Sequence, residues 1–272
     1  MVSPAAKDVK LCQEFDVIVS VLKNIGLNIL VMPVSKSVKG SQYLCSKDWI
    51  SFNIGKVATV FPMSILDRQR ERNDVVFELL ENAGHEVSDV IDFTEAETEG
   101  VFMEGMSSVV LDTYNKVAYS SVSSVSDPDL FIEFCEELEY TPLLFNEENI
   151  VKDEILKTSK IITICKDFIL VCSVLIQNKK ERKQILTYLK KSGREIIYVE
   201  LNQIDYFVNE VVQCYDKKGA SIVLISKTAI SALKESQKEK LSNHGRIEVV
   251  DCTEIEKFGK HSIGAMMNEI ME

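Results

Sequence analysis

The sequence is poor in structure breakers, with 5 prolines and 11 glycines in 272 residues, and it has one tryptophan. That scarcity excludes collagen-like and low-complexity architectures. The longest near-continuous apolar run, 168–176, is broken only by Ser173 and falls far short of the roughly 20 residues that span a bilayer. The opening MVSPAAKDVK has no apolar signal core, and no Asn-x-Ser/Thr sequon occurs. These absences lead to the expectation of a cytoplasmic chain with no membrane partner. No GxGxxG or GxxxxGK[ST] loop is present, so nothing marks a nucleotide site. Cysteine is scattered: Cys12, Cys45, Cys135, Cys165, Cys172, Cys214 and Cys252 form no CxxC pair, which suits reduced structural thiols. His85, His244 and His261 lie far apart and have no zinc-ligand spacing. Neither a metal nor a cofactor is expected.

What the sequence does have is 46% hydrophobic and 27% charged residues, enough for a core, and a formal net charge of −11. An acidic total argues against wholesale nucleic-acid binding. It also has a repeat of about 50 residues, each copy an amphipathic helix, a turn and an apolar strand. In the clearest copy, Val75, Val76, Phe77, Leu79, Leu80 and Ala83 form one stripe, with Arg68, Arg70, Glu71 and Arg72 outside it. Gly84 then stops the helix before the strand HEVSDVIDF.

The other copies follow the same plan. Phe15, Ile18, Val21, Leu22 and Ile25 lead through Gly26 to LNILVM. Asp127 caps a helix with Pro128 at its first position, and YTPLLF follows. Ile185, Leu186, Tyr188 and Leu189 lead through Gly193 to REIIYVEL. In the fifth copy Ser236 and Glu239 suggest a capping box, ahead of Gly245 and RIEVVDC. Strand-like runs stand between the copies at 57–63, 107–112, 116–122, 168–175 and 221–226. Five such units, each needing neighbours to bury a face, predict a closed ring. With no linker composition anywhere, one domain over residues 1–272 is expected.

Several ordered segments carry a resemblance. SKDWIS (46–51), VATVFPMSILDRQRER (57–72), EGVFMEGMSSVVLD (99–112), LKTSKIITICKDFILV (156–171) and IEKFGKHSIGAMMNEI (255–270) resemble motifs of the pentein superfamily. In that order, the motifs are a carboxylate-bearing loop, a "YPM…RR.ER" turn, an "FLEGTGSLVLD" strand, a "YHTNVMM" segment and a "GGGSxRCMxAEI" terminus. The superfamily holds arginine deiminases, amidinotransferases and dimethylargininases, and the likeness is greatest to arginine deiminase-related, amidinotransferase-like proteins. It implies an α/β fold, a five-bladed propeller with pseudo-fivefold symmetry. Relatives carry about 30 further residues at the start, so the first blade is expected to be truncated, its open edge completed by a partner strand or a second copy.

The family's chemistry uses a cysteine thiolate that attacks a guanidinium carbon, carboxylates that hold the nitrogens and a histidine that moves protons. By the same resemblance Glu104 stands at the family glutamate and Asp48 at the carboxylate loop beside Trp49. The histidine position reads Lys157, followed by Thr158. The cysteine position reads Ala265, preceded by Gly264 where arginine is usual, and the flexible glycines have become Lys260 and His261. Alanine offers no nucleophile, and Cys252 lies thirteen residues away.

Several readings stay open at this point. Asp48 and Glu104 could be a residual guanidinium clamp, or Glu104 could pair with Lys157 and fill the pocket. Trp49 could pack or act as a lid. The basic run Lys179, Lys180, Arg182, Lys183, Lys190, Lys191 and Arg194 could be a docking face or a solvated helix face. For function, the first expectation is a pseudoenzyme retained for binding or assembly, with a protein partner or a second copy and no small guanidino ligand. One alternative is an active hydrolase or amidinotransferase on a guanidino compound. The other is a ribosome- or RNP-associated protein, by analogy with anti-association factors of this fold.

Overall fold

The computed structural model describes residues 1–2, 9–33, 44–147 and 157–271. Its first helix, α1 (Val9–Asn24), buries Leu11, Phe15, Ile18 and Leu22 on one side, the i, i+4, i+7, i+11 spacing of an amphipathic helix. Gly26 ends it at φ +98°, a conformation that a side chain would resist.

Four repeated units follow. The first has a 3-10 turn (Ser46–Asp48), strands β1 (Ile50–Asn53) and β2 (Val57–Val60), helices α2 (Leu66–Gln69) and α3 (Val75–Asn82), and strand β3 (Asp89–Asp92). The next has α4 (Gly105–Ser108), β4 (Val109–Asp112), β5 (Val117–Ser121), α5 (Pro128–Glu137) and β6 (Thr141–Phe145). After it come α6 (Thr158–Ile161), β7 (Ile162–Ile164), β8 (Phe168–Val171), α7 (Lys179–Lys191) and β9 (Glu195–Tyr198). The last has β10 (Val212–Tyr215), β11 (Ser221–Ser226), α8 (Lys227–Ala232), α9 (Glu235–Asn243) and β12 (Arg246–Val250). Helices α10 (Thr253–Gly259) and α11 (Ile263–Met266) complete the described chain.

Each unit forms one three-stranded mixed sheet. Its first two strands pair antiparallel through a short turn, and the third pairs parallel to the second. A parallel neighbour needs a long crossover, and the amphipathic helix supplies it. The sequence repeat is therefore a strand–strand–helix–strand unit. Strands β1, β7 and β10 were not among the apolar runs, because ISFN, ITI and VQCY are short and mixed in polarity.

Among the described residues the four sheets remain separate, and no strand links them into a closed sheet. The unit around α1 shows one parallel bridge, Val2 to Met32, in place of the expected strand LNILVM. Part of that unit lies outside the described residues. The C-terminal segment packs back toward the start: α10 lies against α1, and Asn268 donates to the Ile50 carbonyl at 2.9 Å.

Caps explain two further boundaries. Asp127 accepts from the backbone N–H groups of Asp129 and Leu130, as its place before Pro128 requires. The helix of the fifth sequence copy, α9, begins at Glu235, and the predicted box of Ser236 and Glu239 does not form. Gln237 instead accepts from Lys234 N–H at 2.8 Å and donates to Gln203, which places its side chain inside.

Candidate functional site

The unit plan decides where the site lies. In three units a tight turn runs directly into the first strand, and a residue at that turn faces the common centre. Asp48 ends the 3-10 turn before β1, Glu104 precedes α4 and Lys157 precedes α6. The turns touch: α4 packs against both the 3-10 turn and α6, and α11 packs against the 3-10 turn. Residues separated by as many as 109 positions therefore meet.

Lys157 Nζ lies 2.9 Å from Asp48 Oδ2 and 3.2 Å from Glu104 Oε2. Arg68 Nη1 lies 3.0 Å from Asp48 Oδ2 and 3.5 Å from Glu104 Oε2. Arg68 Nε also pairs with Glu71 Oε1 at 3.1 Å. The remaining carboxylate oxygens are met by hydroxyls. Ser107 donates to Asp48 Oδ1, and Ser64 donates to Glu104 Oε1 at 2.7 Å. Asp48 is 0% exposed and Glu104 4%, so these are buried ions with near-complete pairing, the condition under which burial is tolerated.

Burial works against ionisation of Asp48, but Lys157 and Arg68 outweigh it and hold the carboxyl well below its ordinary range. Burial likewise opposes the charge on Lys157, and Asp48 with Glu104 overcomes it, so the ammonium titrates above its ordinary value. Glu71 goes the other way. Burial raises it, Arg68 only partly compensates, and the nearby Asp48 and Glu104 charges add to the rise. Three carboxylates face two cations, and Glu71 is held less firmly as an anion than Asp48.

Sequence reasoning left Arg68 and Glu71 on the outside, and the structure corrects this. They sit on and just after α2, a short helix separate from the α3 stripe, and both are buried. The available signal was their place in the "YPM…RR.ER"-like segment. Gly105 makes the close approach possible: its φ is +41°, and an added Cβ would lie 2.3 Å from the Lys47 carbonyl oxygen.

The other predicted residues divide. Ala265 is buried in α11, next to Gly264, whose carbonyl accepts from Lys47 Nζ at 2.8 Å. An added Cβ on Gly264 would meet the Glu210 carbonyl oxygen at 2.4 Å, so an arginine has no room there. His261 is buried, and its pKa falls to about 3 because burial disfavours the imidazolium, with Lys157, Arg68 and Lys160 adding to the effect against Asp48. Trp49 is 2% exposed in a cluster with Leu11, Phe15 and Ile50, which is a packing position. Cys252 is buried, and burial raises its thiol far above the ordinary value. A thiol that sequence reasoning did not single out, Cys45, is fully buried within the field of Asp48, Arg68 and Lys157, and burial holds it protonated as well.

Two members of the predicted basic run serve inside the protein. Arg194 makes a bidentate pair with Asp112, at 2.7 and 3.0 Å, joining neighbouring units. Arg182 donates to the Ile176 carbonyl. Among the described residues no group of three or more His, Cys, Asp or Glu is arranged to hold a metal ion. None of the described helices is long and apolar enough to cross a membrane.

Four repeated mixed three-stranded units, three of whose turns bring Asp48, Glu104 and Lys157 together, belong to the pentein class, the superfamily of guanidine-modifying enzymes. The sequence model described as N,N dimethylarginine dimethylhydrolase, eukaryotic, matches residues 4–272, and the chain belongs to that family. Solved structures share the fold. An arginine dihydrolase of the ornithine-ammonia cycle in Cyanobacteria, ArgZ, superposes with a TM-score of 0.75 at 13% identity, covering 100% of this chain and 39% of its own. Its N-terminal domain bound to substrate gives 0.71 at 14% identity, covering 96% and 86%. A dimethylarginine dimethylaminohydrolase adduct gives 0.67 at 10% identity, covering 97% and 96%. This chain thus spans well under half of the full-length ArgZ chain. No curated protein sequence matches it.

Proposed function

We propose that this chain is a pentein pseudoenzyme, retained for binding or assembly and without turnover of guanidino compounds. One observation carries the reading: the Lys157 ammonium bridges Asp48 and Glu104 at the position where the resemblance places the family's histidine. In the family pattern those carboxylates hold the nitrogens of a cationic substrate. Here a cation of the chain itself lies on both of them. At the cysteine position Ala265 has no nucleophile, and the thiol of Cys45 within the cluster's field is desolvated and protonated. His261, with its pKa lowered to about 3, is a weak base at neutral pH.

The architecture behind this proposal is five units about one axis, the four mixed sheets and a fifth unit built on α1 and the Val2–Met32 bridge. Its described cysteines are all free thiols, which fits a cytoplasmic protein.

The test is a turnover assay with arginine, agmatine and methylarginines, read as ammonia, methylamine and citrulline. The natural chain and Ala265→Cys are both expected to give none. A nucleophile restored without its proton carrier leaves the catalytic unit incomplete. Turnover by the natural chain that survives repurification and thiol alkylation would overturn the reading.

A further inference from the structure

Charge along this chain is segregated. Residues 74–139 hold seventeen Asp and Glu against one basic residue, Lys116, not counting His85. Residues 157–194 hold ten Lys and Arg against Asp167 and Glu181. The fold brings the two blocks together at β6, against which both α5 of the acidic block and α7 of the basic block pack. The junction is fixed: Asn146, just beyond β6, donates from its backbone N–H and its side chain to Glu181 of α7.

The outer faces of the two helices are of opposite sign. On α5 the residues at i, i+3, i+4, i+7 and i+8 are Asp129, Ile132, Glu133, Glu136 and Glu137, all exposed. On α7 the outward set includes Lys180, Lys183, Lys190 and Lys191, all exposed, with Lys179 at its start. None of these carboxylates or lysines makes an ion pair among the described residues. A solvated face usually interleaves both signs, and each of these two outer faces carries one, Glu181 of α7 being turned to Asn146.

We propose that the α5–α7 face is a self-association surface, whose occupant is the same face of a second copy related by a two-fold axis. Rotation by 180° about an axis between the helices lays α7 of each copy on α5 of the other, so one operation makes both complementary contacts. Ile132, 36% exposed in the acidic stripe, gives the contact an apolar point. A long polyanion fits less well: a molecule covering α7 also meets the carboxylates of α5 beside it. A second copy presents charge in the inverse order. This inference is independent of the reading of the buried site.

The experiment is sedimentation velocity over a concentration series, at about 0.05 M and about 0.5 M salt, between which the screening length falls roughly threefold. The natural chain is expected to dimerise at low salt, with association weakened about tenfold or more at high salt. Lys179→Glu with Lys180→Glu and Lys183→Glu is expected to be monomeric, as is Glu133→Lys with Glu136→Lys and Glu137→Lys. All six positions are exposed, and circular dichroism verifies folding of each variant. Mixing the two variants supplies the decisive arm: one carries two acidic helices and the other two basic ones, so they are expected to form a heterodimer. Monomers in every sample overturn the proposal, as does a dimer indifferent to salt and to both reversals. Binding of the natural chain to single-stranded DNA through α7 without self-association also overturns it.

Discussion

The ammonium of Lys157 stands 2.9 Å from Oδ2 of Asp48, across 109 residues of sequence, and both groups are withdrawn from solvent. Asp48 is fully buried, while Lys157 keeps 15% of its side chain exposed. The relationship is mutual: each holds the other in its charged form. A bound guanidino ligand would have to displace this lysine and leave it unpaired, which makes the pocket self-occupied under the proposed function.

Lys157→Ala is therefore expected to do two things. Arginine binding is expected to be absent by calorimetry in the natural chain and to become measurable but weak in the variant. Stability should fall by about 1–3 kcal/mol, less than the roughly 3–5 kcal/mol of a fully buried pair, because Arg68 remains on both carboxylates and Lys157 is partly solvated. Tight arginine binding by the natural chain would remove the self-occupied pocket.

Arg68→Ala should cost more than Lys157→Ala. Arg68 is 4% exposed and serves three carboxylates, Asp48, Glu104 and Glu71. Its removal strands Glu71, whose carboxyl is already raised by burial, and the variant is expected to lose roughly 3–5 kcal/mol in urea denaturation. The opposite order of the two variants would mean that Lys157 is the cluster's main support.

His261 gives the stability a pH signature. Its pKa is about 3 in the fold against an ordinary 6.5, so between those values the unfolded chain holds a proton that the native chain lacks. Stability from this group is complete above pH 6.5 and declines as pH falls, by about 1.4 kcal/mol per unit for one proton. Glu14, Glu71, Glu210 and Glu269, all raised, act in the opposite sense, since their folded forms take up protons more readily. The informative quantity is the difference between the natural chain and His261→Gln from pH 6.5 to pH 4.5. Over that range the natural chain should lose stability relative to the variant as pH falls, and a constant difference would show that His261 is not held neutral.

How much of this could be read from sequence depends on the kind of interaction. Helices announced themselves by apolar spacing, and Gly26, Gly84 and Gly193 marked their ends, each at positive φ. Strands β2, β5, β8 and β11 were visible as Val- and Ile-rich runs because they are the central strands of their sheets. Strands β1, β7 and β10 were not, since an edge strand of three or four residues needs no continuous apolar run. Asp48, Glu104, Lys157 and Ala265 were singled out through ordered motifs, and the structure joins the first three in one ion-pair cluster. Arg68 escaped because a charged residue beside other charged residues reads as solvent-facing. Its burial depends on two carboxylates, one 20 and one 36 positions away. Glu210 escaped because it lies outside the matched segments, yet its backbone limits what can stand at Gly264.

That limit gives the last prediction. The resemblance places an arginine at 264 and a cysteine at 265, and the two positions should respond differently to restoration. Gly264 has no positive φ to explain it; its constraint is space. A Cβ there would lie 2.4 Å from the carbonyl oxygen and 2.7 Å from the carbonyl carbon of Glu210, and backbone atoms cannot rotate aside as a flexible side chain can. Gly264→Ala is expected to lose about 1–3 kcal/mol through overpacking, and Gly264→Arg more, since a guanidinium must also find a partner beside Lys47. Ala265→Cys adds one sulfur to a buried turn and should cost about 1 kcal/mol or less. Chemical denaturation of the three variants decides the matter. If Gly264→Arg were as stable as the natural chain, the turn that bears Glu210 would be free to move, and the family pattern could be rebuilt one residue at a time. If the predicted order holds, the segment around Glu210 has to change before an arginine can stand at 264, because its backbone packs against that position.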